Sequence, residues 1–146
     1  MQEGDRATRV LVTGAKGQLG SRLVELCARR GALHVVGLDQ TELDITDPTS
    51  ILEALSQHAP DVVINGAAYT AVDLAESEPE RAFGINGKGV KHLAEACSQN
   101  GVALIHVSTD YVFGEVERVP LSPSEPTGPL GVYGASKLEG EEAFMA

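Results

Sequence analysis

The chain has 146 residues, 42% of them hydrophobic and 22% charged, which suits one domain with a buried core and neither a disordered chain nor a disulfide scaffold. Its formal net charge of −10 argues against a nucleic-acid partner, because no basic cluster is present to offset phosphate repulsion. Cys27 and Cys97 lack metal-ligand spacing and suit a reducing compartment; no run approaches the ~20 apolar residues of a membrane span, and no leader precedes the first polar residues, so a cytoplasmic chain without metal or membrane is expected.

Short runs rich in valine and isoleucine alternate with longer amphipathic stretches, the pattern of parallel strands joined by crossover helices. In chain order, a strand over 9–13 leads through a glycine-rich turn into a helix over 18–30, which Gly31 would stop. A strand over 34–38 follows, then a helix over 49–58 with Asp47 as its cap and Pro48 in its first turn. A strand over 61–65 precedes a helical stretch over 78–100 with a break near 84–89, and a further strand covers 102–108. Residues 110–131 carry four prolines and no periodicity, which predicts a long loop over the ligand face; a last helix starts near Val132. The strands show little alternation, as when both faces are covered, so the fold class is α/β with a doubly wound parallel sheet and flanking helices.

The turn after the first strand reads Gly14-Ala15-Lys16-Gly17-Gln18-Leu19-Gly20. Gly14 permits the tight turn, Gly17 lets a pyrophosphate approach the backbone, and Gly20 allows close packing of helix on sheet. The helix that opens at Gln18 then offers unpaired N–H groups and a partial positive charge to the anion, which points to a dinucleotide. Asp39 stands at the end of the second strand, about 20 residues past the glycines, where a carboxylate accepts from an adenosine ribose and favours NADH. Lys16 pulls the other way, since an ammonium in that loop can neutralise the 2′-phosphate of NADPH.

Tyr133 and Lys137 lie four residues apart in a helical segment and so project from one face toward the same ligand. A tyrosine ordinarily titrates near ~10, and an adjacent ammonium lowers the cost of giving up its proton, which makes the pair a usable acid for carbonyl reduction. His34, His58, His92 and His106 have no convergent spacing and read as structural; Glu139, Glu141 and Glu142 read as a solvated face.

Several stretches together resemble the dTDP-4-dehydrorhamnose reductase family of extended short-chain dehydrogenase/reductases. They are Leu43-Asp44-Ile45-Thr46-Asp47, Asn65-Gly66-Ala67-Ala68-Tyr69-Thr70-Ala71-Val72-Asp73, Ser108-Thr109-Asp110-Tyr111-Val112-Phe113-Gly114, and Val132-Tyr133-Gly134-Ala135-Ser136-Lys137-Leu138 with Gly140-Glu141. Gly66 and Gly87-Lys88 depart from the usual pattern. The resemblance implies NADPH- or NADH-dependent reduction of a 4-keto nucleotide sugar in deoxysugar biosynthesis. By it, Gly17, Gln18 and Leu19 line the pyrophosphate, Asp39 the ribose, and Asp44 with Ile45 the adenine edge. Ala68, Tyr69 and Thr70 flank the adenosine side, and Val107 lies near the nicotinamide. Thr109, Tyr133 and Lys137 form the catalytic set, with Lys137 also on the nicotinamide ribose, while Thr109 and Asp110 contact substrate.

Such reductases continue for a further stretch of similar length. Residues 1–146 are therefore expected to be an NAD(P)-binding Rossmann domain truncated before the substrate domain, with the C-terminal substrate-binding part absent from this chain. Cofactor binding would outlast turnover, and the fourth strand would present an apolar edge open to pairing, a homodimer included. Two rivals are an epimerase or dehydratase acting on nucleotide sugars, and a non-catalytic NAD(P)-binding regulatory subunit like the beta subunit of methionine adenosyltransferase.

Overall fold

Four short strands pair in parallel in the computed structural model, which describes residues 6–115 and 120–146. They are β1 (Thr8–Thr13), β2 (Leu33–Leu38), β3 (Val62–Asn65) and β4 (Ala103–His106), side by side in the order β2-β1-β3-β4. Between them run α1 (Gln18–Ala28), α2 (Pro48–His58), α3 (Val72–Ala75), α4 (Pro79–Phe83), a π turn (Gly84–Gly89) and α5 (Val90–Gln99). The last described element is α6 (Val132–Met145). The doubly wound α/β architecture is thus present. From β1 the chain moves outward to β2, then returns past β1 to β3, so the winding reverses between β1 and β3. Right-handed crossovers place α1 and α2 on opposite faces of the sheet.

The chain divides into two compact units. The first takes the described part of Met1–Ala67 with His92–Val107 and contains the sheet, α1, α2 and most of α5. Its core is aliphatic: Val10, Leu11, Val12 and Val63 of the strands, Ile51 and Leu55 of α2, and Leu93 and Cys97 of α5 are all buried. Each such aliphatic side chain contributes about 1.5–3 kcal/mol. On the α1 side Gly37 keeps the gap narrow; a Cβ there would lie 2.6 Å from Val24 Cγ2 and 2.8 Å from Ala15 Cβ. In β4, the last strand in the order, Ile105 is 52% exposed, and Val107 just after it 40%. The second unit takes Ala68–Lys91 and the described part of Ser108–Ala146, and holds α3, α4, the π turn and α6. Buried Tyr69, Ala75 and Ala82 form its core, with Ile85, Val132 and Tyr133 packed against them.

Several boundaries differ from the sequence reading for physical reasons. Helix α1 ends at Ala28, capped by Arg29 in the right-handed helical region, and Gly31 is not among the glycines at positive φ; the turn Leu33 N to Arg30 O leads into β2 instead. Helix α2 begins as read, with Asp47 Oδ1 accepting from Thr49 N at 2.9 Å, but it stops on Ala59 at φ +41°, just before Pro60. The fourth strand covers 103–106 rather than 102–108, because β3 offers only Val62–Asn65 as its partners. The break near 84–89 is a π turn that keeps the run helical, and α3 was not anticipated. The expected loop opens with a single 3-10 turn at Asp110–Val112, and its residues 116–119 lie outside the described residues. No described helix is long and apolar enough to cross a membrane.

Candidate active site

In the first unit the strand registers align Leu38, Thr13, Asn65 and His106 in one row across the carboxyl end of the sheet. Open α/β sheets bind ligands at this edge, where the winding reverses. Thr13 Oγ1 donates to Asn65 Oδ1 at 2.6 Å, both atoms accept from Ala67 N at 3.2 Å, and Asn65 Nδ2 donates to His106 Nδ1 at 3.1 Å. This polar row holds the start of the segment that leaves β3 directly beside the glycine turn. Gly14 sits at φ +62°, and a Cβ on it would lie 2.8 Å from Gly66 O and Ala67 N, so only glycine fits between the two turns.

Gly17 N bonds Gly14 O at 3.0 Å to close the turn, and a Cβ on Gly17 would crowd Gly14 O at 3.2 Å. Gly20 rests on the backbone of Gly14 and Ala15, which brings the start of α1 against the loop. No side chain caps α1 and its first turn has no acidic residue, so no side chain competes for the amides at its amino end. Backbone donors, a helix N-terminus and a glycine cradle form a donor set that fits a diphosphate.

Lys16 and Asp39, the two residues with opposed cofactor signals, form an ion pair with each other, Nζ to Oδ2 3.3 Å. Exposed pairs of this sort contribute about 0–1 kcal/mol, so either partner is readily recruited elsewhere. Asp44 Oδ1 accepts from Thr46 N at 2.9 Å and Thr46 Oγ1 at 2.7 Å, a local turn that commits that oxygen. The Ile45 side chain is buried, which leaves its backbone as the part open to a ligand; Val107 follows β4 and is exposed.

The second unit carries the remaining predicted residues. Ala68 is half-buried and Thr70 exposed. The Tyr69 side chain is built into the core: its hydroxyl donates to Glu78 Oε2 at 2.8 Å, and the Arg81 guanidinium lies 5.4 Å from the ring centre. Burial, and then Glu78, push its phenol above the usual tyrosine value, with Arg81 opposing. Thr109 Oγ1 accepts from Tyr111 N at 3.3 Å and caps the 3-10 turn that starts at exposed Asp110. Tyr133 and Lys137 are both in α6, one turn apart. The Tyr133 ring meets Tyr111 edge-on, centroids 5.5 Å apart at 85°, and lines an apolar cleft of about 310 Å³ with Val72, Glu76, Tyr111 and Leu130. Lys137 is 3% exposed, and burial pushes its ammonium below the usual lysine value, while the Glu141 carboxylate one turn on opposes that shift.

Sequence reasoning missed the side chains that hold these pieces. Asn86, fully buried in the π turn, accepts from Tyr69 N at 2.8 Å and donates to Tyr69 O at 2.9 Å and Ser136 Oγ at 3.0 Å; Ser136 in turn donates to Tyr133 O at 2.8 Å. An asparagine next to a Gly-rich helical break was the available signal. The acidic run is not uniformly solvated: Glu142 is exposed, but Glu139 packs on Gly87, where a Cβ would overlap its carboxyl, and Glu141 faces Lys137. Gly87 is therefore matched to its neighbour. Among the described residues no three His, Cys, Asp or Glu side chains converge as a metal site.

Comparison with known proteins fits this geometry. A dTDP-4-dehydrorhamnose reductase of Streptomyces griseus is 50% identical over 137 residues, covering 94% of this chain and 45% of that relative. The solved dTDP-4-dehydrorhamnose reductase of Clostridium acetobutylicum superposes with a TM-score of 0.89 at 37% identity, covering 94% of this chain and 49% of that one. That of Bacillus anthracis, solved in complex with NADP, gives 0.86 at 36%, with the same two coverages of 94% and 49%. The chain thus spans about half the length of the relatives it matches. The RmlD substrate binding domain family matches residues 8–146, and the chain belongs to that family.

Proposed function

We propose that residues 1–146 form the NAD(P)-binding part of a dTDP-4-dehydrorhamnose reductase, which reduces dTDP-4-dehydrorhamnose to dTDP-L-rhamnose with NADPH or NADH, and that a substrate-binding part lies outside this chain. The observation that carries the reading is the uncapped amino end of α1 behind the Gly14–Gly17 turn, at the sheet edge where the winding reverses. Gly14, Gly17, Gln18 and Leu19 hold the diphosphate, and Asp39 takes the adenosine ribose. Lys16 can leave Asp39 for a 2′-phosphate, so the pair gives each cofactor a partner. Asp44 and the Ile45 backbone border the adenine, with Ala68, Tyr69 and Thr70 on the adenosine side and Val107 near the nicotinamide.

When bound, the nicotinamide supplies hydride to a carbonyl carbon. Tyr133 protonates the carbonyl oxygen, Thr109 hydrogen-bonds the same oxygen, and Asp110 contacts the sugar. Lys137 holds the nicotinamide ribose and, because burial makes its ammonium more acidic, returns a proton to Tyr133 more easily than an exposed lysine would. The setting is cytoplasmic, with a nucleotide-sugar substrate and no nucleic-acid partner; sedimentation tests whether the β4 edge supports a homodimer.

Calorimetry on this chain is the primary test. NADPH and NADH should bind, Gly17→Trp should abolish binding, and Tyr133→Phe should retain it. In the protein of full family length, Tyr133→Phe should lose reduction of the dTDP-4-keto sugar. Wild-type affinity in Gly17→Trp would overturn the cofactor reading, and NAD co-purifying stoichiometrically would point to an epimerase instead.

A further inference from the structure

Helix α6 begins without a cap of its own. Gly131 precedes it in extended backbone, φ −128° and ψ 170°, with no side chain to offer, and no acidic residue stands in the first turn. The missing acceptor arrives from 56 residues earlier: Glu76 Oε1 accepts from Val132 N at 2.8 Å. Gly131 is what admits it, because a Cβ there would lie 2.7 Å from Glu76 Oε1. Its φ is open to any residue, and what a Cβ would meet is the far end of the Glu76 side chain, so a larger residue there would have to shift the carboxylate.

On the other side of Tyr133, Gly134 is as tightly placed. A Cβ on it would lie 2.6 Å from Tyr111 O and 3.0 Å from Pro129 Cβ. Tyr133 is therefore clasped between two close approaches, by Glu76 before it and by the Tyr111 backbone after it, while its ring rests edge-on against Tyr111. Glu76 and Tyr133 line the same cleft. A carboxylate at this end also matches the positive pole of the helix.

We infer that Glu76 is a positioning residue: by capping α6 one residue before Tyr133, it fixes where the phenol stands in the cleft. The inference rests on Tyr133 being the proton donor of the proposed reduction. A displacement of about 1 Å at a reacting group can reduce a rate by as much as 10²-fold, so the cap would act on turnover far more than on binding.

In the protein of full family length, Glu76→Ala should lower kcat about 10- to 100-fold, with cofactor Kd changed less than 2-fold. Glu76→Gln, which keeps the acceptor oxygen, should recover most of that loss. In the chain alone, amide exchange at Val132 should accelerate in Glu76→Ala and return toward normal in Glu76→Gln. The double variant Glu76→Ala with Tyr133→Phe should be no slower than Tyr133→Phe, as expected when one residue acts through the other. Additive losses, or a normal kcat in Glu76→Ala while Tyr133→Phe is inactive, would overturn this inference and leave the reductase reading intact. A normal kcat in Tyr133→Phe would overturn both.

Discussion

Replacing Asn86 tests the second unit at its most committed polar group. The side chain is fully buried and bonds the N–H and C=O of Tyr69, itself 7% exposed, as well as Ser136. Asn86→Ala strands both Tyr69 groups in the interior at about 1–3 kcal/mol each. Ser136 loses only an accepted bond, since it still donates to Tyr133 O. The expected loss is about 4 kcal/mol, a large share of the roughly 5–15 kcal/mol that holds a domain folded. At roughly 2–4 °C per kcal/mol, melting should fall by about 8–16 °C. Asn86→Asp is the sharper variant. One oxygen still accepts from Tyr69 N, but the other faces the oxygens of Tyr69 and Ser136 where an N–H₂ stood. The folded state then favours the protonated acid and raises its pKa above the unfolded value, so the variant is most stable at low pH and weakens as pH rises through the folded pKa. Urea unfolding followed by circular dichroism at pH 5 and pH 7.5 would measure both. A loss below about 1 kcal/mol in Asn86→Ala would refute the reasoning, given the cost of two stranded backbone groups.

Further expectations follow from the first unit. Cys97 is 1% exposed and its thiol is pushed up to about 11 by burial, whereas Cys27 is half-buried; at pH 9 iodoacetamide should label Cys27 and spare Cys97 until urea is added. Because that pKa is raised, the stability it contributes is complete below the ordinary thiol value of 9.0 and is lost as pH rises through the folded value, which an alkaline melting series should show. Gly20→Ala drives a Cβ into the Gly14 backbone and should cost about 1–3 kcal/mol together with cofactor affinity, while Gly31→Ala, with open space around it, should be neutral or slightly stabilising; equal effects would contradict the packing. Asp61 is held below the usual carboxylate range first by the Arg9 backbone N–H and then by the Arg9 and Arg6 guanidinium groups. Its contribution is complete above the ordinary value of 3.8 and is lost as pH falls through the lowered folded value, so Asp61→Asn should lower the urea midpoint at pH 7 and the gap to the parent protein should narrow only once pH is taken below 3.8.

What could be read from the residues was whatever local chemistry alone decides. Gly14 was legible because a strand-to-helix turn needs a positive φ, and Asp47 with Pro48 because a cap and its first turn are neighbours in sequence. Gly31 is the same residue type near the end of the same helix and plays no such part; its conformation depends on the turn into β2, which composition does not encode. Tyr69 fell in a recognisable motif, yet the motif does not say that the ring turns into the core and bonds Glu78. The bonds Glu76–Val132 and Asn86–Ser136 were illegible because their partners lie 56 and 50 residues apart; the Gly-rich helical break beside Asn86 marked the residue but not what it binds.

The polar residues that are buried show what these interiors are shaped for. Among the described residues they are Thr13, Asn65, Asn86, Ser136 and Lys137. Removing a hydroxyl or amide from water costs about 1–3 kcal/mol unless it is hydrogen-bonded, so aliphatic residues of similar volume would bury at lower cost. For Thr13, Asn65, Asn86 and Ser136 the bonds they make explain their presence. Thr13 and Asn65 grip Ala67 N beside the glycine turn, Asn86 grips Tyr69, and Ser136 ties Asn86 to the Tyr133 backbone. Each bond fixes a loop or helix start that carries a proposed ligand contact, and an apolar side chain could fill the space without fixing it. The polar interior of each unit therefore gives up some stability to define backbone position.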